Sequence, residues 1–152
     1  MVSDPVRISM TESPALIDTN ILVYAFDADS GRKYSIAKEL IGRSWRGKER
    51  YAVSIQNLAE FSVVVREKVA HPVPSEDIRQ FLSLVMRFHD WQVLGYSVKT
   101  IIRTHEIRDE YHLHFWDALL AATMEENAVR TIISEDAHFR NVPWITVQNP
   151  FA

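Results

Sequence analysis

The sequence contains no cysteine, which excludes disulfide bonds and thiolate metal sites. Its 4 glycines and 6 prolines among 152 residues are too few for a collagen-like or linker-like chain. No apolar run approaches the roughly 18 residues that a membrane-spanning helix needs, and residues 1–14 lack the apolar core of a signal peptide. These absences predict a cytoplasmic protein that does not associate with membranes.

The composition that remains is typical of a globular domain. Apolar residue types make up 47% of the chain and charged types 24%, enough for a packed core. A chain of 152 residues has the usual length of one domain. We therefore predict an N-terminal tail over residues 1–13 and a single domain over residues 14–152.

The charge of the chain is unevenly distributed. The formal net charge is -3, but residues 32–50 hold seven basic and two acidic side chains, so this segment is basic and the remainder acidic. Such a segment is typical of a surface that contacts phosphates, although an ordinary solvated helix face remains the alternative. The candidates for contacts with a nucleic-acid backbone are Arg43, Arg46, Lys48 and Arg50.

Short apolar stretches alternate with longer amphipathic ones along the whole chain. The strand-like stretches are residues 15–18, 50–55, 91–96, 130–134 and 144–147. The helical stretches are residues 21–26, 30–45, 56–68, 75–89, 97–111 and 115–127, with Ser30 as a candidate N-cap of the second. This alternation predicts an α/β fold around a mostly parallel sheet, in which sites form beyond the carboxyl ends of the strands.

Two aspartates occupy unusual positions in this pattern. Asp18 directly follows the first apolar strand, at the predicted carboxyl edge, although it could simply cap the next helix. Asp117 shares a helix face with the apolar Leu120, Ala121 and Met124. A buried carboxylate needs a compensating cation or hydrogen bonds, unless Asp117 is an ordinary acid of the first helical turn.

Three further acids belong to the same group of candidates. Glu60 lies on a helix face with Val63 and Val64, although an acid at the rim of such a face is common. Glu135 and Asp136 follow the strand at residues 130–134. Carboxylates that converge repel one another, and Mg²⁺ or Mn²⁺, which prefer oxygen ligands, would remove that repulsion.

Several motifs of the sequence resemble those of PIN-domain proteins, in particular the VapC-like toxin ribonucleases of type II toxin–antitoxin systems. The matching stretches span residues 15–151 in the family's order, and they are Leu16–Phe26, Asn57–Phe61, Phe115–Ala122, Ser134–Asp136 and Asn149–Phe151. The resemblance implies a three-layer α/β/α sandwich with a central mostly parallel sheet. It also implies a metal-dependent endoribonuclease with a cognate antitoxin that occludes the active site, and a homodimer.

The resemblance also implies roles for individual residues. Asp18, Glu60, Asp117 and Asp136 match the four catalytic acids, and Asp18, Asp117 and Asp136 would hold Mg²⁺ or Mn²⁺. Ser134 matches a conserved hydroxyl and, with Asn20, would orient the carboxylates. The family often has a glycine soon after Ser-Glu-Asp, where this chain continues Ala137-His138-Phe139, so Glu135 remains an alternative fourth acid.

The expected reaction is an in-line attack on an RNA phosphodiester by metal-bound water, with Glu60 as a ligand or a base. His138 could contact the phosphate, whereas a metal site of His112, His114 and Asp117 is disfavoured because only one acid is nearby.

Two other functions are compatible with parts of the sequence. A phosphatase of the haloacid dehalogenase type would use Asp18 as its nucleophile, but that family requires an aspartate where Asn20 stands. A catalytically inactive PIN-like domain that binds RNA or protein is the main alternative. Retention of the complete acid set argues against it, because buried carboxylates destabilise a fold that does not use them.

Overall fold

The structure, a computed structural model, describes residues 13–152 and contains a five-stranded sheet. The strand order is β3-β2-β1-β4-β5, and each of the four neighbouring pairs is parallel. The predicted mostly parallel sheet is thus parallel throughout the described chain. The strands are β1 (Ala15–Ile17), β2 (Tyr51–Ser54), β3 (Trp91–Leu94), β4 (Thr131–Ile133) and β5 (Thr146–Gln148). The predicted tail, residues 1–13, lies outside the described residues except for Ser13.

Helices connect the strands and cover both faces of the sheet. They are α1 (Thr19–Tyr24), α2 (Arg32–Trp45), α3 (Ile55–Glu67), α4 (Ser75–Arg87), α5 (Val98–Tyr111) and α6 (Phe115–Glu126). Two short 3₁₀ helices, Ala28–Ser30 and Ala137–Asn141, complete the described elements. None of the helices within residues 13–152 is long and apolar enough to span a bilayer.

Alternate residues of β1, β2 and β4 point into two separate hydrophobic cores, which makes the fold three-layered. Ile17 and Ile133 pack into the core beneath helices α1 to α4. Leu16 and Ile132, their neighbours in sequence, pack into the core beneath α5 and α6. The three-layer α/β/α sandwich is therefore confirmed.

The start of α2 differs from its prediction. Ser30 does not cap this helix, because its hydroxyl donates to Asp27 Oδ2 at 3.0 Å within the preceding 3₁₀ turn. Gly31 occupies the N-cap position instead, with a φ of 59° that favours glycine. The tight turn before α2 needs a residue with positive φ, and the Ser30 hydroxyl in the sequence does not reveal that need.

The chain connections place side chains of opposite charge at opposite edges of the sheet. Asp18 and Ser134 immediately follow β1 and β4, and Ser54 is the last residue of β2, so all three lie at the carboxyl edge. Helix α2 runs back from that edge to the amino end of β2, where Arg50 precedes Tyr51. The carboxyl edge therefore holds the predicted acids, and the amino edge holds the predicted basic residues.

Candidate active site

Asp18 is both a helix cap and a member of the site. Its backbone N–H donates to Ile133 O at 3.1 Å, which continues the β1–β4 ladder by one residue. Its Oδ1 accepts from Thr19 N at 2.8 Å, and its Oδ2 accepts from Ser134 Oγ at 2.7 Å. The capping alternative and the site assignment are thus compatible, because one carboxylate has oxygen atoms for both.

The pKa of the Asp18 carboxyl is raised from 3.8 to about 6. Burial is the main cause, and the negative charges of Asp117 and Asp136 add to it. The hydrogen bonds from Ser134 and Thr19 oppose the rise without cancelling it. Three carboxylates therefore interact electrostatically across more than 100 positions of sequence.

Asp117 lies in the first turn of α6, where it is partly buried. Burial raises the pKa of this carboxyl, and the charges of Asp136 and Glu60 add to the rise. His138 and His114 act in the opposite direction. Asp117 is a first-turn acid, as the alternative proposed, and its surroundings nevertheless make its ionised form unfavourable.

Asp136, not Glu135, lies beside Asp117. One oxygen of Asp117, one oxygen of Asp136 and one ring nitrogen of His138 all lie within 4.8 Å of one another. Glu135 points away, accepting hydrogen bonds from Lys33 Nζ at 2.7 Å and from the Tyr24 hydroxyl. Burial alone would raise the pKa of Glu135, but these two partners outweigh burial and lower it.

Ser134 connects two of the acids. Its hydroxyl donates to Asp18 and accepts from Asp136 N at 2.9 Å, so it controls both the Asp18 carboxylate and the turn that carries Asp136. Ser134 is buried after β4, where Ser134 N donates to Gln148 O at 3.0 Å. Ser134 therefore lies next to the acids, as predicted. Asn20, the other residue predicted to orient the carboxylates, is exposed in the first turn of α1.

Glu60 is exposed on α3 and outside the compact group formed by Asp117, Asp136 and His138. Gln56, one turn earlier, donates through Nε2 to Glu60 Oε1 at 3.0 Å and to Trp116 O at 3.0 Å. Trp116 directly precedes Asp117, so Gln56 ties the Glu60 side chain to the start of the helix that carries Asp117. Glu60 therefore lies at the rim of the site.

A buried polar network supports the site and was not assigned a role from the sequence. Asn57 Nδ2 donates to Thr19 Oγ1 at 3.0 Å, and Asn57 Oδ1 accepts from Ser54 Oγ at 2.8 Å. This network joins the starts of α1 and α3, the helices that follow β1 and β2. The sequence feature that could have revealed this network is the capping box formed by Ser54 and Asn57 at the end of a strand.

The predicted basic residues lie away from these acids. Arg46 Nη2 forms an ion pair with Glu39 Oε1 at 2.7 Å on the last turns of α2. Arg43 and Arg50 line a cavity at the amino edge of the sheet, together with Tyr51. Lys48 is exposed in the connection to β2. The structure therefore does not bring this basic segment together with the acids.

The donor set of the site fits a divalent cation. Within residues 13–152, no lysine or arginine forms an ion pair with Asp18, Asp117 or Asp136. Burial and mutual repulsion raise the pKa of Asp18 and of Asp117, and the described lysine and arginine side chains do not compensate for either effect. Carboxylate oxygens are the ligands that Mg²⁺ and Mn²⁺ prefer, and a bound ion would supply the missing positive charge.

Solved structures with a similar fold come from bacterial toxin–antitoxin systems. A toxin–antitoxin complex from Klebsiella pneumoniae is 26% identical, with 90% of this chain and 97% of that chain covered and a TM-score of 0.59. VapBC2 from Rickettsia felis, bound to a promoter DNA fragment, is 20% identical over 90% of this chain and 98% of that one, with a TM-score of 0.62. VapC20 from Mycobacterium tuberculosis, a sarcin–ricin loop cleaving toxin, is 17% identical over 83% and 92%, with a TM-score of 0.61.

Sequence comparison identifies the family to which the chain belongs. A comparison with curated proteins found no significant match. The family model described as PIN domain matches residues 15–145, which run from β1 to the residue before β5 and include the site. That stretch contains Asp18, Glu60, Asp117 and Asp136 in order. The chain belongs to the PIN-domain family, and its fold is that of VapC-like toxins.

Proposed function

We propose that the protein is a metal-dependent endoribonuclease and the toxin of a toxin–antitoxin pair. The observation that carries this proposal is the convergence of Asp117 and Asp136 near the partly buried Asp18, with no lysine or arginine paired to them within residues 13–152. Such an arrangement is unfavourable without a cation, because like charges in a partly buried site raise one another's pKa. The family relationship agrees with it, since PIN-domain proteins include nucleases.

Asp18, Asp117 and Asp136 would hold Mg²⁺ or Mn²⁺, directly or through water. When bound, a divalent cation makes water acidic enough to serve as a nucleophile and neutralises the developing charge on a phosphodiester. Ser134 would hold the Asp18 carboxylate in one orientation through its 2.7 Å hydrogen bond. Because Ser134 also accepts from Asp136 N, the same hydroxyl fixes the backbone turn that carries Asp136.

Glu60 is suited to proton transfer rather than to a buried ligand position. It is exposed, so a proton that it accepts can pass on to solvent. Gln56 limits its freedom by the 3.0 Å hydrogen bond to Oε1. In this proposal Glu60 is the general base, and Gln56 is a positioning residue that keeps the carboxylate at the rim of the site.

Two observations support an antitoxin partner. The solved relatives include toxin–antitoxin complexes, such as the one from Klebsiella pneumoniae. Beside the acids, Trp116, which directly precedes Asp117, is 60% exposed. A large apolar side chain exposed next to a charged site is typical of a protein interaction surface. An antitoxin that covers it would also block access to Asp117; the homodimer predicted from the family remains part of the proposal.

The decisive experiment compares RNA cleavage by the wild type with that by Asp117→Asn in Mn²⁺ or Mg²⁺. We expect a loss of at least about 100-fold, because the metal contribution to a phosphodiester transition state amounts to several kcal/mol. Asp109→Asn is the matched control, since Asp109 is exposed on α5. EDTA should abolish cleavage by the wild type.

Equal cleavage by Asp117→Asn and the wild type would contradict the proposal. RNA binding without cleavage in either metal would favour the inactive PIN-like alternative. A purified preparation whose activity survives both EDTA and Asp117→Asn would point to a contaminating nuclease.

A further inference from the structure

The imidazole of His138 lies against the acid cluster because of the turn after β4. Asp136 is the N-cap of the 3₁₀ helix Ala137–Asn141, and its Oδ1 accepts from His138 N at 2.9 Å. The same turn places His138 Nδ1 2.9 Å from that oxygen. Phe139, which is 1% exposed, anchors the 3₁₀ helix in the core, so the backbone under His138 is held in place.

The spacing of these donors matches the coordination shell of a single ion. In an octahedral shell with ligands at about 2.1 Å, adjacent donor atoms lie about 3 Å apart and opposite ones about 4.2 Å apart. The nitrogen of His138 and the oxygen of Asp136 are 2.9 Å apart, and the donors of Asp117, Asp136 and His138 lie within 4.8 Å of one another. Small side-chain rotations would bring all three onto one ion.

Other histidine–aspartate pairs in the described chain lack this arrangement. His71 pairs with Asp29 at 2.7 Å and His89 with Asp90 at 3.3 Å, and both imidazoles are exposed. Within residues 13–152, only the His138 pair has a further carboxylate within ligand distance. The imidazole of His138 is also 67% exposed, so an ion can reach it from solvent. His138 therefore belongs to a group of three possible metal ligands, whereas His71 and His89 form ordinary surface ion pairs.

We propose that His138 is a metal ligand together with Asp117 and Asp136, and that its nitrogen makes the site prefer Mn²⁺ to Mg²⁺. The proposal rests on the proposed function in that the acids hold a divalent cation. Mg²⁺ strongly prefers oxygen ligands, whereas Mn²⁺ and later first-row ions accept imidazole more readily. A site made only of carboxylates would bind whichever of the two ions is available, whereas one imidazole ligand favours Mn²⁺.

The ligand is not one of the two histidines near Asp117, in agreement with the sequence, which disfavours a metal site there. His112 is the left-handed C-cap of α5, and His114 is the N-cap residue of α6. The ring of His114 lies 6.5 Å from that of His138, and His114 is not in the group of donors within 4.8 Å. His138, by contrast, comes from the segment that also carries Asp136.

The test measures metal binding directly, without RNA. The affinities of the purified full chain for MnCl₂ and MgCl₂ are determined by titration calorimetry, for the wild type, His138→Ala, Asp117→Asn and His71→Ala. His71→Ala is the matched control, because it removes an exposed imidazole that is paired with an aspartate. Pulsed electron paramagnetic resonance of bound Mn²⁺ reports whether a ¹⁴N nucleus is coordinated.

We expect ¹⁴N modulation in the wild type and in His71→Ala and none in His138→Ala. His138→Ala should weaken Mn²⁺ binding by at least about tenfold and Mg²⁺ binding by less than about threefold, so that the preference collapses. Wild-type Mn²⁺ binding without ¹⁴N modulation, or with equal affinity in His138→Ala, would overturn the proposal for His138 and leave the metal-dependent nuclease intact.

The remaining outcomes separate the two proposals. Nitrogen-coordinated Mn²⁺ in a protein that cleaves no RNA would support His138 as a ligand and contradict the nuclease. Absence of Mn²⁺ and Mg²⁺ binding in the wild type would overturn both. If Asp117→Asn retains wild-type affinity and ¹⁴N modulation, the ion is elsewhere and the assignment of this ligand group is wrong.

Discussion

The two edges of the sheet differ in how their charges are assembled. At the carboxyl edge, Asp18, Asp117 and Asp136 come from three separate connections of the chain. At the amino edge, Arg43, Lys48 and Arg50 come from one continuous segment. The parallel sheet brings distant acids together because the carboxyl ends of neighbouring strands share an edge. A charge cluster that is continuous in sequence needs no such convergence, so by itself it says little about a site.

Helix α2 connects the two edges and carries a basic side chain to each of them. Lys33, in the first turn of α2, reaches the carboxyl edge and binds Glu135 at 2.7 Å. Arg43, in its last turn, lies at the amino edge. Lys33 is thus paired with Glu135, and within residues 13–152 no lysine or arginine forms an ion pair with Asp136. Glu135 and Asp136 are adjacent in one turn but have different partners, so substitutions can distinguish their roles.

The largest effect is expected from comparing Asp136→Asn with Glu135→Gln. Asp136→Asn should lower the RNA cleavage rate by about 100-fold or more, because it removes a ligand oxygen beside Asp117. Glu135→Gln should change the rate by less than about tenfold, since its partners are Lys33 and Tyr24. Cleavage assays in Mn²⁺ measure both. A reversed order would show that Glu135, not Asp136, is the functional acid.

The second prediction concerns the stability of the metal-free protein. The pKa of Asp18 is about 6 in the folded state and near 3.8 when unfolded, so stability falls as the pH rises from about 4 to above 6. Asp18→Asn removes this ionisation. In EDTA at pH 8 it should be more stable than the wild type by at most about 3 kcal/mol, with little difference at pH 4.

Urea denaturation at the two pH values measures the stability difference. Added Mn²⁺ should reverse the order at pH 8, because only the wild type retains the Asp18 carboxylate for the ion. If Asp18→Asn destabilises the metal-free protein equally at both pH values, Asp18 acts chiefly as the helix cap.

A smaller effect on catalysis is expected from Gln56→Leu, which tests the rim of the carboxyl edge. The substitution removes the hydrogen bonds to Glu60 and to Trp116 O, so we expect cleavage to fall by about tenfold. The stability cost should be within about 1 kcal/mol, because removing the buried Gln56 Oε1, which has no described partner, offsets part of the loss of the two hydrogen bonds. A flattened acidic limb in the pH–rate profile would distinguish positioning of the Glu60 base from a general packing defect.

The smallest effect is expected at the amino edge. The predicted RNA contacts at Arg43, Lys48 and Arg50 lie far along the sheet from the acids, so replacing all three with glutamine should leave kcat unchanged. RNA affinity should fall by about three- to tenfold, and each lost phosphate contact should lower the slope of log affinity against log salt by about 0.7. Arg46→Gln is the internal comparison, since Arg46 already pairs with Glu39. Unchanged affinity and slope would remove this edge from the RNA interface.

Much of the fold was predictable because each element carries a local signal. The five strands and six helices of the described chain were predicted at nearly their observed positions, from apolar runs and helical periodicity. The candidate acids could be identified because an acid after a buried strand, or on an apolar helix face, is unfavourable without a partner. The Ser30 cap was predicted wrongly, because the backbone conformation at Gly31 depends on the turn before it.

By itself the sequence determined the order and type of the elements and the family to which the chain belongs, since these depend on local periodicity and on motif order. Only the tertiary structure decided that Asp136 faces Asp117, that Glu135 binds Lys33, and that His138 joins the acids. The physical reason is geometric: consecutive side chains in a turn point in different directions, and their partners come from residues distant in the chain. The same holds for the basic segment, whose place at the amino edge follows from the direction of α2 across the sheet.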